Sequence, residues 1–189
     1  TRPTKHTYVE SGFPVDMVQA KGPGWLPSEA YYQCRFAVLR QPLGFARGAE
    51  LLTDDVDALH AYVEDEHETI VCVGRAHLIG DDSDGSQSDF PGASGPKTPA
   101  FSPLSEDKNR PAIQIRQMGT LQSSRRMGLA AKVLNTLEEK AKEVFSAKIG
   151  LLQAREEAIQ FYESAGWTVI DQPYTIPNVG LHRSMMKIL

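Results

Sequence analysis

A cluster of basic and small residues stands where a helix is expected to begin, in the segment Arg125-Arg126-Met127-Gly128-Leu129-Ala130. Acidic side chains are normally favoured in the first turn of a helix, because the unpaired N–H groups and the dipole make that end positive. Here two arginines take their place, which is unfavourable unless an anion binds. Gly128 and Ala130 leave room for an anion to approach the amides, and Ser123 and Ser124 are candidate caps. The segment predicts a phosphate site, with a solvated basic strip as the alternative.

The charge distribution separates this region from the rest of the chain. Residues 108–137 contain no Asp or Glu and carry six Lys or Arg, whereas the whole chain has a net charge of −4. A negative chain whose basic stretch lacks interleaved aromatic residues is not expected to bind nucleic acid.

Length and composition predict a single domain over residues 1–189. The chain has 41% apolar residues, which is enough for one buried core. No apolar run is long enough to span a membrane, and residues 1–6 lack the apolar core of a signal peptide, so we expect a cytoplasmic protein without membrane contact. Cys34 and Cys72 have no metal-ligand spacing, so we expect two buried free thiols and no metal site.

Residues 81–111 differ from their surroundings in composition. They include five Pro, three Gly, six Ser and five Asp, which makes the segment too polar and too broken to pack a core. We expect a flexible insertion, either disordered or acting as a lid.

The remaining segments show helix and strand patterns in alternation. A helix is predicted over 27–40, starting at Ser28 and Glu29, followed by an antiparallel hairpin. The strands are expected at 60–64, 69–79, 112–121, 148–153, 167–171 and 181–189, and two further helices at 128–145 and 155–165. Gly166 is expected to end the last helix in a left-handed conformation. The order predicts an α/β sandwich with a mixed sheet.

The segment Arg125-Arg126-Met127-Gly128-Leu129-Ala130 resembles the (Gln/Arg)-x-x-Gly-x-(Gly/Ala) signature of the GNAT superfamily of acyl-CoA-dependent acyltransferases. A second stretch is similar to the superfamily's next motif, with Ala154 at a strand end, then Phe161-Tyr162, then Gly166-Trp167. The resemblance covers residues 112–167. It implies a mostly antiparallel sheet splayed at strands 4 and 5 and flanked by helices, with acetyl-CoA as co-substrate.

The resemblance also assigns residues to the co-substrate. It implies that Met118, Gly119 and Thr120 form a β-bulge beside the pantetheine arm. The amides of the signature then receive the pyrophosphate, which makes the cofactor-binding set Met118, Gly119, Thr120, Arg125, Arg126, Met127, Gly128, Leu129 and Ala130. One departure is Arg126, because many relatives carry glycine after the first arginine.

Tyr162 matches the tyrosine that protonates the departing thiolate in many relatives, which implies a general acid. A purely structural ring is the alternative. The implied reaction is transfer of an acetyl group to a primary amine of a small molecule or peptide by direct attack, since an acyl-enzyme would need an activated cysteine. Candidates to accept the amine proton are Glu68, His77 and His182, of which His182 begins the last strand, where relatives shape the acceptor pocket. A catalytically silent acyl-CoA sensor and a homodimer remain open alternatives.

Overall fold

A seven-stranded sheet forms the centre of the computed structural model, which describes residues 18–88 and 97–189. The strands are β1 (Val18–Lys21), β2 (Leu59–Glu64), β3 (Ile70–Leu78), β4 (Ala112–Thr120), β5 (Ile149–Arg155), β6 (Thr168–Ile176) and β7 (Gly180–Ile188). The α-helices are α1 (Glu29–Leu39), α2 (Leu129–Phe145) and α3 (Ile159–Ser164). The strand order is β1-β2-β3-β4-β5-β7-β6, and only the β4–β5 pair is parallel. The predicted mixed, mostly antiparallel sheet flanked by helices is confirmed.

The boundaries of α1 follow from two local signals. Ser28 is the N-cap, and its Oγ accepts a hydrogen bond from the Tyr31 backbone N–H at 3.2 Å. The helix ends at Leu39, and a 3₁₀ turn that contains Pro42 follows at residues 41–43, because proline has no backbone N–H with which to continue the α-helical hydrogen bonds. The predicted start at Ser28 and Glu29 is confirmed.

The two long helices pack on opposite faces of the sheet. The stripe of α2 residues at spacing four, Leu129, Val133, Leu137 and Ala141, is at most 2% exposed and packs against β1 to β4. Helix α1 packs against β3 and β4. Consecutive side chains of a strand point to opposite faces, and accordingly Cys72 joins the α2 core whereas Val73 joins the α1 core.

The predicted helix over 155–165 begins later than expected. Arg155 is the last residue of β5, paired with His182 of β7, and a 3₁₀ turn over residues 156–158 separates it from α3. Strand pairing therefore overrides the helical propensity of this segment. Gly166 has φ 93°, which confirms the predicted left-handed helix end.

Two other features of the sheet differ from prediction. Strand β6 continues to Ile176, because its pairing with β7 resumes after an irregularity between Ile170 and Tyr174. Strand β1 was not predicted. It has four residues, too few for a period-2 pattern to be recognised, and it is fixed by antiparallel pairing with β2.

The ends of the segment at 81–111 pack against the sheet, so the expectation that it could not contribute to a core is wrong. Phe101 and Leu104 are 2% and 4% exposed and pack with Ile79, Ile149 and Leu151. Residues 89–96 lie outside the described residues, and the flexibility of the insertion stays a prediction, as does the single domain over 1–189.

A buried ionic cluster joins α1 to β3. Asp55 accepts hydrogen bonds from Arg35 at 2.7 and 3.1 Å and from Arg75 at 2.8 Å, and Arg75 also pairs with Asp54 at 2.8 Å. Burial alone would raise the pKa of Asp55, but the hydrogen bonds and charges of the two arginines outweigh it and hold this pKa below its ordinary value. Arg35 also donates to the backbone oxygen of Glu50 at 2.9 Å. The loop after α1 is therefore fixed to the sheet through charged groups.

None of the described helices is long and apolar enough to cross a membrane. Within residues 18–88 and 97–189, no three His, Cys, Asp or Glu side chains are grouped so that they could hold a metal ion.

Replacing Asp55 by Asn should strongly destabilise the fold. The substitution leaves the buried guanidinium of Arg35 without its counter-charge, and breaking a buried pair in this way typically costs about 3–5 kcal/mol. Denaturant unfolding followed by circular dichroism measures the loss. Asp57→Asn, at an exposed position of the same turn, is the control and should change the free energy of unfolding by less than about 0.5 kcal/mol. Equal stability of the two variants would contradict the assigned role of the cluster.

Candidate functional site

The parting of β4 from β5 opens the centre of the sheet. The two strands pair at three positions, of which Gln114 opposite Leu151 is the last. Beyond Gln114, the edge of β4 that faces β5 has no strand partner in the part of the chain that the structure describes. Unpaired backbone N–H and C=O groups of this kind can bind an extended ligand.

A β-bulge in β4 bends the strand at this point. The stretch of β4 from Arg116 to Gly119 contains one residue more than the stretch of β3 that pairs with it, from Val73 to Arg75. Gln117 takes the strained left-handed conformation, with φ 57°. The Oε1 atom of Gln117 accepts a hydrogen bond from Arg40 at 3.3 Å, and both side chains are buried. A buried contact from the end of α1 thus holds the bulged residue.

The bulge lies one to two residues earlier than the resemblance implied. We expected it at Met118, Gly119 and Thr120, but the residue with the left-handed conformation is Gln117. Gly119 has a packing role, because a Cβ there would lie 2.7 Å from Cγ1 of Val38. The glycine lets α1 approach the strand closely.

The start of α2 presents unpaired backbone donors. Its first backbone hydrogen bond runs from Lys132 N to Gly128 O at 3.3 Å, so the amides of Leu129, Ala130 and Ala131 have no acceptor within the helix. The first turn contains no acidic residue, and no side chain caps it. Gly128 is the N-cap, with φ 74°, and a Cβ added to it would meet no atom within 4 Å. The space above the amides is therefore open, as a bound phosphate would require.

The two arginines of this turn differ in what they contact. Arg125 folds back on β4, and its Nε donates to the backbone oxygen of Thr120 at 3.2 Å. Arg126 is exposed, and its backbone is left-handed, with φ 64°. With this conformation, Arg126 directs the chain into the helix, at the position where many relatives carry a glycine.

These elements enclose a cleft of about 510 Å³. Its walls come from α1, the end of β4, the start of α2, and α3. They include the expected Met118, Gly119, Thr120, Arg125, Arg126, Gly128, Leu129 and Ala130. The side chain of Met127 does not line the cleft and is 37% exposed. The structure thus brings eight of the nine expected cofactor-binding residues to one cleft.

Tyr162 lies at the inner end of this cleft. Its ring is 8% exposed and packs edge-on against Phe161 and Trp167, with centroid distances of 5.0 and 6.3 Å. Its hydroxyl makes no hydrogen bond to any described residue, and burial raises the pKa of the phenol well above its ordinary value. The group is therefore a neutral hydroxyl that can still donate a proton.

A second pocket, of about 210 Å³, begins on the other side of Tyr162. The two cavities share the side chains of Leu39, Met118, Arg155, Ala158 and Tyr162. The second pocket also contacts the β6–β7 hairpin and the parted strands β4 and β5. A ligand in each cavity would meet its neighbour at these shared side chains.

His182 lines the second pocket. It is 6% exposed and stacks on Tyr174, and its Nδ1 lies 2.8 Å from the backbone oxygen of Gly180. Because a carbonyl oxygen can only accept, Nδ1 carries the proton and Nε2 is left as the acceptor of the neutral ring. Burial is the main cause that lowers the pKa of His182.

The other two proton-acceptor candidates lie away from both cavities. Glu68 is exposed in the β2–β3 turn. His77 contacts Arg75 at 3.3 Å, and burial together with the charges of Arg75 and Arg116 lowers its pKa to about 3. Cys34 and Cys72 are buried free thiols, as expected.

Sequence reasoning missed Arg155, Thr98 and Arg40, all of which line the second pocket. Arg155 directly follows Ala154 of the second motif, at the end of a strand, and this position could have drawn attention to it. Thr98 lies in the segment that we expected to be flexible, and no sequence signal links it to the site.

Comparison with known proteins agrees with this geometry. Residues 26–167 match the acetyltransferase (GNAT) family. An acyl-CoA N-acyltransferase from Pseudomonas aeruginosa superposes with a TM-score of 0.62 at 14% identity, covering 90% of this chain and 97% of that chain. Escherichia coli ElaA gives a TM-score of 0.62 at 17% identity, with the same 90% and 97% coverage. Arabidopsis thaliana NAA60, solved with a bisubstrate analogue, gives 0.59 at 12% identity, again covering 90% and 97%.

The structural likenesses show a shared fold, and the family match spans most of the chain. With the splayed sheet and the open helix N-terminus, they establish that this protein belongs to the GNAT family of acyl-CoA-dependent acetyltransferases.

Proposed function

We propose that this protein transfers the acetyl group of acetyl-CoA to a primary amine of a small molecule or peptide by direct attack in a ternary complex. The observation that carries the proposal is the meeting of the two cavities at Tyr162. One cavity reaches the open N-terminus of α2, and the other reaches His182 and the β6–β7 hairpin. This arrangement lets two substrates bind together, so that proximity supplies much of the rate.

The pyrophosphate of acetyl-CoA fits the start of α2. The amides of Leu129, Ala130 and Ala131 and the positive end of the helix dipole supply backbone donors. The pantetheine arm would follow the unpaired edge of β4 past the bulge at Gln117, where the strand offers peptide groups that β5 does not use. The thioester would then lie near Tyr162.

The chemical step forms one bond and breaks another. The amine nitrogen attacks the thioester carbonyl carbon, the C–S bond breaks, and the products are an amide and free CoA. Tyr162 would give its hydroxyl proton to the departing sulfur, and Nε2 of His182 would take the proton that the amine loses. Burial raises the pKa of the phenol, but a thiolate in the same cleft is desolvated too, which raises its basicity in the same direction.

A covalent acyl-enzyme is disfavoured by the state of the cysteines. Burial raises the pKa of Cys34 to about 12 and that of Cys72 to about 11. Neither thiol would be ionised near neutral pH, and the thiolate is the nucleophilic form. Neither lines the two cavities.

Turnover with a panel of primary amines tests the proposal directly. Release of free CoA should require an amine, and initial rates measured while both substrates vary should give intersecting reciprocal plots. Parallel plots would contradict direct attack. Binding of CoA without release in the presence of any amine would favour a sensor and overturn the proposed activity.

Gly128→Val should weaken CoA binding by about tenfold or more. The new side chain would fill the open space above the amides, at a backbone conformation that β-branched residues avoid. Calorimetric titration with CoA measures the dissociation constant. Gly24→Val is the matched control, because Gly24 also has a positive φ of 97° and open space around it, far from the cleft. Equal affinity of both variants for CoA would contradict the assigned phosphate site.

Tyr162→Phe should lower kcat by about 100-fold or more, because it removes a general acid. The dissociation constant of CoA should stay within about twofold, since the ring that packs in the core is kept. Tyr62→Phe, which removes a hydroxyl bonded to Gln19 outside both cavities, should leave kcat nearly unchanged. A parallel loss of CoA binding and turnover in Tyr162→Phe would exclude the acid role.

His182→Gln should remove the acid limb of the pH profile of kcat. Only the neutral ring can accept a proton, so wild-type activity is lost as pH falls through the pKa of His182. Because burial lowers that pKa, the loss should occur below the ordinary value of about 6.5. The His182→Gln variant should have a lower kcat, and its kcat should not fall at the pH where His182 becomes protonated in the wild type. The control His67→Gln, in the exposed β2–β3 turn, should keep the wild-type pH profile. The amine's own titration is common to all three proteins, so only the difference between their profiles reports on His182, and a His182→Gln profile with the same acid limb as the wild type would contradict the base role.

A further inference from the structure

The pocket on the acceptor side of Tyr162 has a basic polar lining. Three arginines, Arg40, Arg116 and Arg155, contribute to its walls, together with His182. Among the described residues that line it, none is Asp or Glu. A cationic acceptor such as a polyamine would meet three like charges in this lining, whereas Glu157, whose charge acts on His182, does not line the pocket, and this balance disfavours its binding.

Arg155 has the donors with which to bind a negative group. Its backbone is fixed by pairing with His182, at the point where β5 ends. Its half-buried side chain lines both cavities and makes no hydrogen bond or ion pair with the described part of the chain. A guanidinium presents two parallel N–H groups that match the two oxygens of a carboxylate.

Thr98 gives a second, independent indication of a polar ligand. Its side chain is buried, with 7% exposure, and lines the same pocket. Its Oγ1 is buried without a hydrogen-bond partner, although its backbone N–H is bonded to Ser86. Buried hydroxyl groups are nearly always hydrogen-bonded in folded proteins. A ligand in the pocket would supply the missing partner once rotation about the Cα–Cβ bond of Thr98 turns the hydroxyl toward it.

The size of the pocket limits the acceptor. Its volume of about 210 Å³ is below the roughly 300–1,000 Å³ of sites that hold drug-sized ligands. A molecule of amino-acid size fits such a space.

We propose that the acceptor is a small amine that carries a carboxylate, held by Arg155 with the Thr98 hydroxyl as a further hydrogen-bond partner. This inference rests on the proposed acetyl transfer and names its substrate class. The amine end lies toward Tyr162 and His182, and its nitrogen forms the new amide bond while the C–S bond of acetyl-CoA breaks. The other two arginines of the pocket already donate hydrogen bonds within the protein, so Arg155 and one hydroxyl face the ligand, which matches a single carboxylate better than a phosphate dianion.

A panel of small amines that differ in the charge of their second group tests the acceptor class on the wild-type protein. Glycine, β-alanine and 4-aminobutyrate carry the carboxylate at different distances, and butylamine, putrescine and O-phosphoethanolamine replace it by a methyl group, a second amine and a phosphate. We expect at least one amino carboxylate to exceed the other three in kcat/KM by about tenfold or more. Preference for putrescine, butylamine or O-phosphoethanolamine would overturn the inference while leaving the acetyl transfer intact. Absence of CoA release with every amine would instead overturn the proposed function.

The variant Arg155→Met then tests whether Arg155 binds the carboxylate of the acceptor. It should raise the KM of the preferred carboxylate by about tenfold or more, whereas the KM of butylamine, which has no carboxylate to bind, should change by less than about twofold. Arg155→Lys should recover part of the loss, because it restores the charge without the planar fork. Lys140→Met removes one positive charge from the exposed side of α2, where its partner is Glu143, and should have no effect.

Thr98→Val provides a variant of nearly the same shape that lacks the hydroxyl. It should raise the KM of the same carboxylate by severalfold while circular dichroism shows an unchanged fold. Equal losses with charged and neutral amines in either variant would assign a structural role to these residues and contradict the inference.

Discussion

The early parting of β4 and β5 is the constraint on which the rest of the site depends. Three paired positions hold the two strands together, and after Gln114 they separate within the middle of a continuous sheet. A sheet that closed at this point would satisfy its own backbone groups and leave no path between the two cavities. The opening is stable because other interactions replace the missing pairs. Arg40 bonds to Gln117 at the bulge, and α1 packs closely over Gly119.

The buried ion pairs explain how α1 is held in the position from which it contacts the bulge of β4. Its end contributes Leu39 and Arg40 to the cavities, so a shift of the helix would move the bulge. Arg35 and Arg75 meet Asp55 in a buried site, and the hydrogen bonds of the three groups fix both the helix and the loop that follows it. A hydrophobic contact alone would allow the helix to slide, whereas paired charges in a buried site specify one position.

Much of the fold could be predicted from the sequence because its signals are local. The stripe from Leu129 to Ala141, the cap at Ser28 and the left-handed Gly166 depend only on near neighbours along the chain. The cleft at the start of α2 was predicted for the same reason, since both the donors and the missing acids belong to one short segment. The predictions that were wrong concern features that depend on residues far away along the chain. Arg155 belongs to a strand because His182 lies opposite, and the bulge falls at Gln117 because β3 and α1 set the register there.

The two cavities offer polar groups from different parts of the chain, backbone amides in one and side chains in the other. At the start of α2 the donors are backbone amides, which most substitutions leave in place, so binding at that end depends on the path of the chain more than on side chains. In the second pocket the polar groups include the side chains of Arg155, Thr98 and His182, brought together from β5, the 97–111 segment and β7. Substitutions there can change the charge and shape of the pocket without disturbing the helix. The chemistry of the second pocket can therefore change on this fold while the open amides at the start of α2 stay in place.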